Sequence, residues 1–397
     1  GFSGSKVTIN GITFTIPNAI VDITNRDKFI AGIHKKDFIC TTYVENKKNL
    51  VGAQARMLQM EPEYKKQMET KQQIMDSYDK FTTVDSEVHL MTCIGMALIK
   101  YSEYTKENKI KPEFDYAQHI NDKESMFKIY IILGYPNDIY SEVYAYVKPT
   151  IAKRHQFNIE TENGDYNLDF TIDPNRTMTY SQALALFMGL ILDDNGNMRK
   201  DRHYLEMTPA IIVDGGQKTV GIYKITSNMQ ISMDESNTDF AMNNVYEEVV
   251  ENIRNLYHRK DIELYNIEEI IKNKDGVLVY HDADTDTTKM VDLKPTFEEC
   301  RKKICQEFIA YLNQKFNNLM DVKQIVIGGG TGAAYYDEIS DYVDNHRQHI
   351  SGHVSLTSYE FNGKDIDPSY AVSVGLYKIL RREVMSQKAM EDKTQGK

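Results

Sequence analysis

The residues best suited to chemistry lie in two short cassettes. In the first, the apolar run Pro209-Ala210-Ile211-Ile212-Val213 ends in Asp214-Gly215-Gly216-Gln217-Lys218-Thr219 and apolar text resumes at Val220. A strand that ends in an acid and a glycine turn can set a carboxylate and bare backbone N–H groups beside a polyphosphate. The carboxylate suits magnesium, usually through the ion's waters, and the glycines let phosphate oxygens reach backbone donors. Asp-Gly is also the commonest signal of an ordinary hairpin turn, so this cassette alone leaves both readings open.

The second cassette follows about a hundred residues later as Gln324-Ile325-Val326-Ile327-Gly328-Gly329-Gly330-Thr331-Gly332-Ala333. It reads as a buried strand running into glycines and then a helix start, a geometry that lets a flat base and its ribose approach the backbone. The same letters satisfy G-x-G-x-x-A, the fingerprint of a dinucleotide-binding fold. Position argues against that rival, because the fingerprint opens a large βαβ domain and fewer than 70 residues follow Gly328. A Walker loop is excluded as well, since Gln217 stands where its second glycine must be.

Other chemistry-bearing residues read as bland. Asp282-Ala283-Asp284-Thr285-Asp286 opens like a calcium loop, but Thr287 replaces the required glycine and Leu293 the closing acid, which leaves a solvated hairpin tip. His346, His349 and His353 lack a supporting Cys or acid motif and read as surface histidines. Cys300 and Cys305 lie five apart on an expected helix and so point to different faces. The charge-laced stretch from Glu61 to Lys71 fits a solvated face or a protein contact.

The elements that must position the cassettes can be read in outline. Lys6–Ile9 and Ile12–Ile16 form a hairpin about Asn10-Gly11, and helical spacing predicts a helix over Ser86–Tyr104. The text from Asn49 to Lys80 favours helix, while Met126–Leu133 and Tyr166–Ile172 read as strands. A helix over Thr179–Leu192 breaks at Asp193-Asp194-Asn195-Gly196, where the chain should cross to a second lobe. Then come helical text from Asn243 to Lys274 with a break near Lys260, a helix over Thr296–Leu319, a strand over Val354–Glu360 and a helix over Ser369–Arg382. The tail from Gln387 to Lys397 reads as disordered.

With 397 residues the chain fits two domains better than one. No stretch approaches the apolar length that crosses a bilayer, and Gly1 to Lys6 carries no signal-peptide core. Four cysteines without paired spacing suit a reducing cytoplasm. A net charge of -11 disfavours direct contact with a nucleic-acid backbone, so a link to DNA would run through another protein.

In this order and spacing the two cassettes resemble the phosphate and adenosine motifs of the actin, Hsp70 and sugar kinase superfamily. Within it the chain is most similar to ParM-type plasmid-segregation actins, through Ile132-Leu133-Gly134-Tyr135-Pro136, the strand end Ile327-Gly328-Gly329-Gly330 and a short C-terminal connector. Tyr180-Ser181-Gln182-Ala183-Leu184-Ala185-Leu186 resembles the first inter-lobe connector of actins. Asp367 to Leu376, with Ala371 and Gly375 as its small packing positions, resembles the second.

The resemblance implies an actin-like α/β fold of two lobes, each a mixed sheet flanked by helices, around a nucleotide cleft. The first lobe would be residues 1–178 completed by 366–397, and the second 179–365. It further implies a cytoplasmic ATPase that polymerises into filaments, binds ATP or ADP with magnesium, and meets plasmid DNA through a DNA-binding adaptor at the centromere. In that scheme Asp214 serves magnesium and catalysis and Gln182 orients the attacking water. Gly1, Phe2, Ser3, Gly215, Gly216, Gln217, Gly328, Gly329, Gly330 and Thr331 hold the nucleotide.

There are departures from the pattern. The sequence starts inside what should be the first phosphate loop, so the leading strand is expected to be absent from it; Gly4 replaces a phosphate-reaching Lys, and Gly221 an acid of the second hairpin. A metabolite kinase of the same superfamily, or a nucleotide-gated binding module that does not hydrolyse, are the alternatives.

Overall fold

In the computed structural model of the protein, the described residues are 4–24, 38–42, 47–59, 83–110, 129–136, 140–200, 209–257, 264–273, 275–282, 285–357 and 360–395. Backbone contacts divide the chain into two compact units. One comprises Gly1–Arg199, Glu360–Ile366 and Tyr370–Lys397, and the other Lys200–Tyr359 and Asp367–Ser369.

The first unit opens on an antiparallel hairpin of β1 (Gly4–Ile9) and β2 (Ile12–Pro17). Asn10 and Gly11 take φ of 38° and 95°, the left-handed pair that a two-residue turn demands. Its five-stranded antiparallel sheet runs in the order β3 (Ile20–Asp22), β5 (Lys47–Val51), β4 (Phe38–Thr42), β7 (Arg154–Thr161), β8 (Gly164–Thr171). The short helix α1 (Ala53–Leu58) packs on that sheet's edge and buries Ala55 and Leu58.

The helix expected over Ser86–Tyr104 is α2 (Val84–Glu107). It starts where the Thr83 hydroxyl accepts the Ser86 N–H at 3.1 Å, with Asp85 and Glu87 in the first turn facing the positive helix end. Its buried stripe meets the sheet so closely that a Cβ on Gly95 would lie 2.6 Å from side-chain carbons of Ile159 and Leu168. Beyond β6 (Ile131–Tyr135) comes α3 (Tyr140–Ile151), whose Val143, Val147 and Ile151 join the same core.

The strand β6 pairs in parallel with β9 (Thr177–Ser181), and α4 (Gln182–Ile191) follows at once. Thr179 to Ser181 are therefore strand and not the first turn of the expected helix. Asn49 to Val51 likewise belong to β5, and residues 60–82, with the charged stretch, lie outside the described residues.

The second unit is built on a mixed five-stranded sheet in the order β12 (Ile231–Asn237), β11 (Val220–Ile225), β10 (Ala210–Gly215), β15 (Gln324–Gly328), β16 (Val354–Leu356). The central strands β10 and β15 pair in parallel and are apolar runs without alternation, because both faces are covered. The covering helices include α5 (Met242–Tyr257), α6 (Leu264–Asn273), α7 (Lys294–Lys315) and α8 (Gly329–His346). Their buried residues form one core with Ile211, Val213, Ile325 and Ile327. A separate hairpin, β13 (Val277–Asp282) with β14 (Thr287–Asp292), carries the acidic tip.

Back in the first unit, β17 (Glu360–Phe361) pairs with β18 (Lys364–Asp365), so Glu360 does not extend the strand begun at Val354. The last helix, α9 (Ala371–Gln395), runs through the tail expected to be disordered. The first unit runs to Arg199 and so includes α4, which packs along α9: Ala371 is fully buried, and a Cβ on Gly375 would overlap the Ala185 carbonyl.

Candidate functional site

Parallel pairing of β10 with β15 runs from Ala210 opposite Gln324 to Asp214 opposite Gly328. Two cassettes remote in sequence thus leave the carboxyl ends of adjacent strands side by side, the place where open α/β sheets bind ligands.

Glycine is required on both sides of this junction. A Cβ on Gly215 would run into the Gly332 backbone, and one on Gly329, whose φ is 78°, into the Gly215 carbonyl. Gly330 stands apart: beyond its own helix turn, no atom lies within 4 Å of where its Cβ would be, so the first turn of α8 is open there. The N–H groups of such a turn have no intrahelical acceptor and suit an anionic or polar ligand. The buried Thr331 hydroxyl donates to the Gly216 carbonyl at 2.7 Å and the Gly216 N–H to the Thr219 carbonyl at 2.9 Å, which fixes the turn against the helix.

The half-buried Asp214 is the penultimate residue of β10, beside this junction. Among the described residues no three His, Cys, Asp or Glu side chains cluster to cage a metal ion. A carboxylate outside any such cluster fits a magnesium ion that arrives with phosphates and keeps its waters. Two buried carboxamide oxygens, Gln217 Oε1 and Asn243 Oδ1, lack a hydrogen-bond partner here. Acid, glycine cradle and unsatisfied amides together fit a magnesium nucleotide.

The structure therefore brings together Asp214, Gly215, Gly216, Gln217, Gly328, Gly329, Gly330 and Thr331, all in the second unit. Gln182 belongs to the first unit, where it opens α4 and its Nε2 donates to the Gly134 carbonyl of β6 at 3.1 Å. Gly1, Phe2 and Ser3 lie outside the described residues. Asn243, which the sequence reading passes over, enters through tertiary structure: its N–H donates to the Gln217 carbonyl at 2.9 Å.

The set-aside residues have structural roles. Cys300 and Cys305 are both buried, and burial pushes the Cys305 thiol up to about 12. The exposed His349 donates from Nε2 to the Leu319 carbonyl at 2.9 Å. Arg301 ties α7 to α8 through a two-pronged contact with Glu338 at 2.6 and 2.9 Å, which raises the guanidinium pKa and lowers that of the carboxyl.

Two α/β units, one of which pairs an acid-glycine hairpin with a glycine-led helix on adjacent strands, define an actin-like protein by fold. Residues 209–357 match the family model of the Alp7A C-terminal domain. Among solved structures, the chain is similar to the actin-like protein Alp7A at 16% identity, with 99% of this chain and 97% of that one covered and a TM-score of 0.69. The 15-stranded ParM filament from Clostridium botulinum is similar at 14% identity, 96% and 97% coverage and a TM-score of 0.61. The archaeal actin homolog Ta0583 in complex with ADP is similar at 10% identity, 98% and 97% coverage and a TM-score of 0.58. No curated protein sequence matches the chain.

Proposed function

We propose that this chain is an actin-like ATPase that assembles into nucleotide-dependent filaments and serves plasmid DNA segregation. The observation that carries the reading is the register that sets Asp214 opposite Gly328 and so joins the phosphate and adenosine cassettes in one place. The likeness to Alp7A and to a ParM filament supports this reading, and the ADP complex of Ta0583 supports the ligand class.

In this reading the Asp214 carboxylate receives magnesium through the ion's waters, and Gly216, Gly329, Gly330 and Thr331 offer backbone to the nucleotide. Gln182 orients the attacking water: its Nε2 is spent on Gly134, which leaves Oε1 to accept a water proton. Bound ATP supplies the phosphoanhydride bond, and the protein's part is positioning and electrostatics. A self-contact that does not close yields an open polymer. A reducing cytoplasm suits the buried free thiols Cys93, Cys300 and Cys305.

Light scattering and electron microscopy of the purified protein with ATP and magnesium test this. Filaments that form with ATP and disassemble as it is hydrolysed are expected. A strictly monomeric protein that phosphorylates a metabolite would overturn the reading in favour of a kinase.

A further inference from the structure

Arg347 stands just past the carboxyl end of α8, where its backbone N–H closes the helix on the Val343 carbonyl at 2.7 Å. Its guanidinium lies over the Tyr342 ring, 5.3 Å from the centroid, and donates to two neutral acceptors, the His346 carbonyl at 2.8 Å and Asn313 Oδ1 at 2.7 Å. Each terminal nitrogen keeps one N–H unspent, and Nε is buried with no acceptor. Among the described residues no carboxylate pairs with this cation. Arg154, held by Asp169, and Arg301, held by Glu298 and Glu338, show the usual arrangement.

Arg347 lines a cleft of about 570 Å³, a volume typical of small-ligand sites. The exposed His346 and His349 line it too, with the carboxamides of Asn318, Asn345 and Gln348, and no acidic side chain does. In a chain of net charge -11 such a lining is the exception. Asp344, the acid nearest in sequence, is already engaged, since it accepts from Ser351 Oγ at 2.7 Å and the Gly352 N–H at 3.1 Å. Another part of the lining is strained: Asn317, Asn318 and Leu319 take φ of 48°, 54° and 64°, a left-handed run that L-residues seldom adopt. The bond from His349 Nε2 to the Leu319 carbonyl ties that run to the residues around Arg347. Strain of this kind persists where the surroundings over-determine it, and it clusters at ligand sites.

A guanidinium with unspent N–H groups, two imidazoles and amide donors select an oxyanion, because the planar fork matches the paired oxygens of a carboxylate or phosphate. We propose that this cleft binds a small multivalent oxyanion carrying carboxylate or phosphate groups, with Arg347 as its main charge contact. The nucleotide cassettes leave the other end of the same elements. Gly328 closes β15 and Gly329 opens α8, whereas the cleft residues precede β15 and follow α8, a helix of 18 residues or about 27 Å. The cleft is therefore separate from the candidate nucleotide site.

Calorimetric titration of the full chain with citrate and with inorganic phosphate, in sodium chloride and without magnesium, tests it. At least one probe should bind with a dissociation constant below about 1 mM. Arg347→Gln should weaken that binding about 10- to 100-fold, the worth of a charge-assisted contact, and His346→Gln about 2- to 10-fold. ATP affinity should be unchanged in both variants, because the sites are too far apart to couple directly. Should Arg347→Gln fail to fold by circular dichroism, His346→Gln, on an exposed side chain, carries the comparison.

Tighter citrate would assign the cleft to carboxylates and tighter phosphate to phosphoryl groups, and either supports the proposal. Failure of the wild-type chain to bind either probe would overturn it. So would binding that both variants leave unchanged, which would put the anion elsewhere on the chain. Filaments lost in Arg347→Gln, with neither probe bound by the wild type, would give the cleft to an acidic segment of a second copy and overturn it as well.

Discussion

At the scale of single residues, Asp214 and Gln182 should fail in different ways. Loss of a carboxylate that orders magnesium's waters should weaken nucleotide binding about 10- to 100-fold and lower turnover with it, so Asp214→Ala is read by calorimetry and phosphate release together. Gln182→Ala should slow hydrolysis about 10- to 1000-fold at nearly unchanged affinity, the signature of a mispositioned water, and filaments should then live longer. Equal losses of affinity in both variants would place Gln182 in binding instead. His89 gives a third test. Its Nε2 meets the Ser5 hydroxyl at 2.9 Å, its Nδ1 is buried without a partner, and burial pushes the imidazole down to about 4. The unfolded chain takes up this proton near pH 6.5 and the folded chain only near 4. Stability is therefore full above the unfolded value and falls as pH drops through that window, by about 3 kcal/mol. His89→Gln should flatten that slope in urea titrations between pH 7 and 4.5. A slope that stays the same would assign the acid sensitivity to other groups. The sequence discloses Asp214 and the glycines because acid and glycine at a strand end are rare outside turns and ligand sites. Asn243 is silent in sequence, since only the folded chain sets it beside Gln217.

At the scale of elements, α4 and α9 meet at Gly375 with no room for a Cβ, and Lys378 locks them. The Lys378 ammonium is 1% exposed, donates to the Gly189 and Leu192 carbonyls at 3.3 and 3.0 Å and pairs with Asp194 at 3.4 Å. It thereby satisfies the carboxyl end of α4, and burial lowers its pKa against the pull of Asp194. Gly375→Ala ought to help an isolated helix by about 1 kcal/mol. Here the added methyl meets the Ala185 carbonyl, so a net loss of about 1–3 kcal/mol is expected, seen as a lower urea midpoint at unchanged slope. A raised midpoint would show that α4 and α9 are free to reseat. Local pattern finds the β1–β2 hairpin, α2 and the two cassette strands, because turn glycines and apolar spacing are local facts. It misreads Thr179 to Ser181 as helix because their partner strand, β6, lies more than forty residues earlier, and a parallel pairing leaves no mark in the text beside it. The tail reads as disorder for the converse reason: it is polar, yet it prolongs a helix that is anchored at Ala371, Gly375 and Lys378.

At the scale of the whole molecule, the governing fact is a net charge of -11, from 58 acidic and 47 basic residues. In the function proposed above, a chain whose net charge repels phosphates meets DNA through an intermediary, a DNA-binding adaptor that grips the filament. The purified protein alone should therefore bind duplex DNA poorly at physiological salt, because a net charge of -11 repels the phosphate backbone. With the adaptor present, DNA should be recruited to filaments, and the salt dependence of that recruitment should be the adaptor's own. Fluorescence anisotropy of labelled duplex across a salt series separates the two cases. Tight binding by the isolated chain that falls steeply with salt would reveal a local basic face strong enough to outweigh the net charge, and the adaptor would then be unnecessary for contact. Flat anisotropy with protein alone, and a rise only when adaptor and ATP are both supplied, is the outcome expected from the charge of the chain together with the filament reading proposed above.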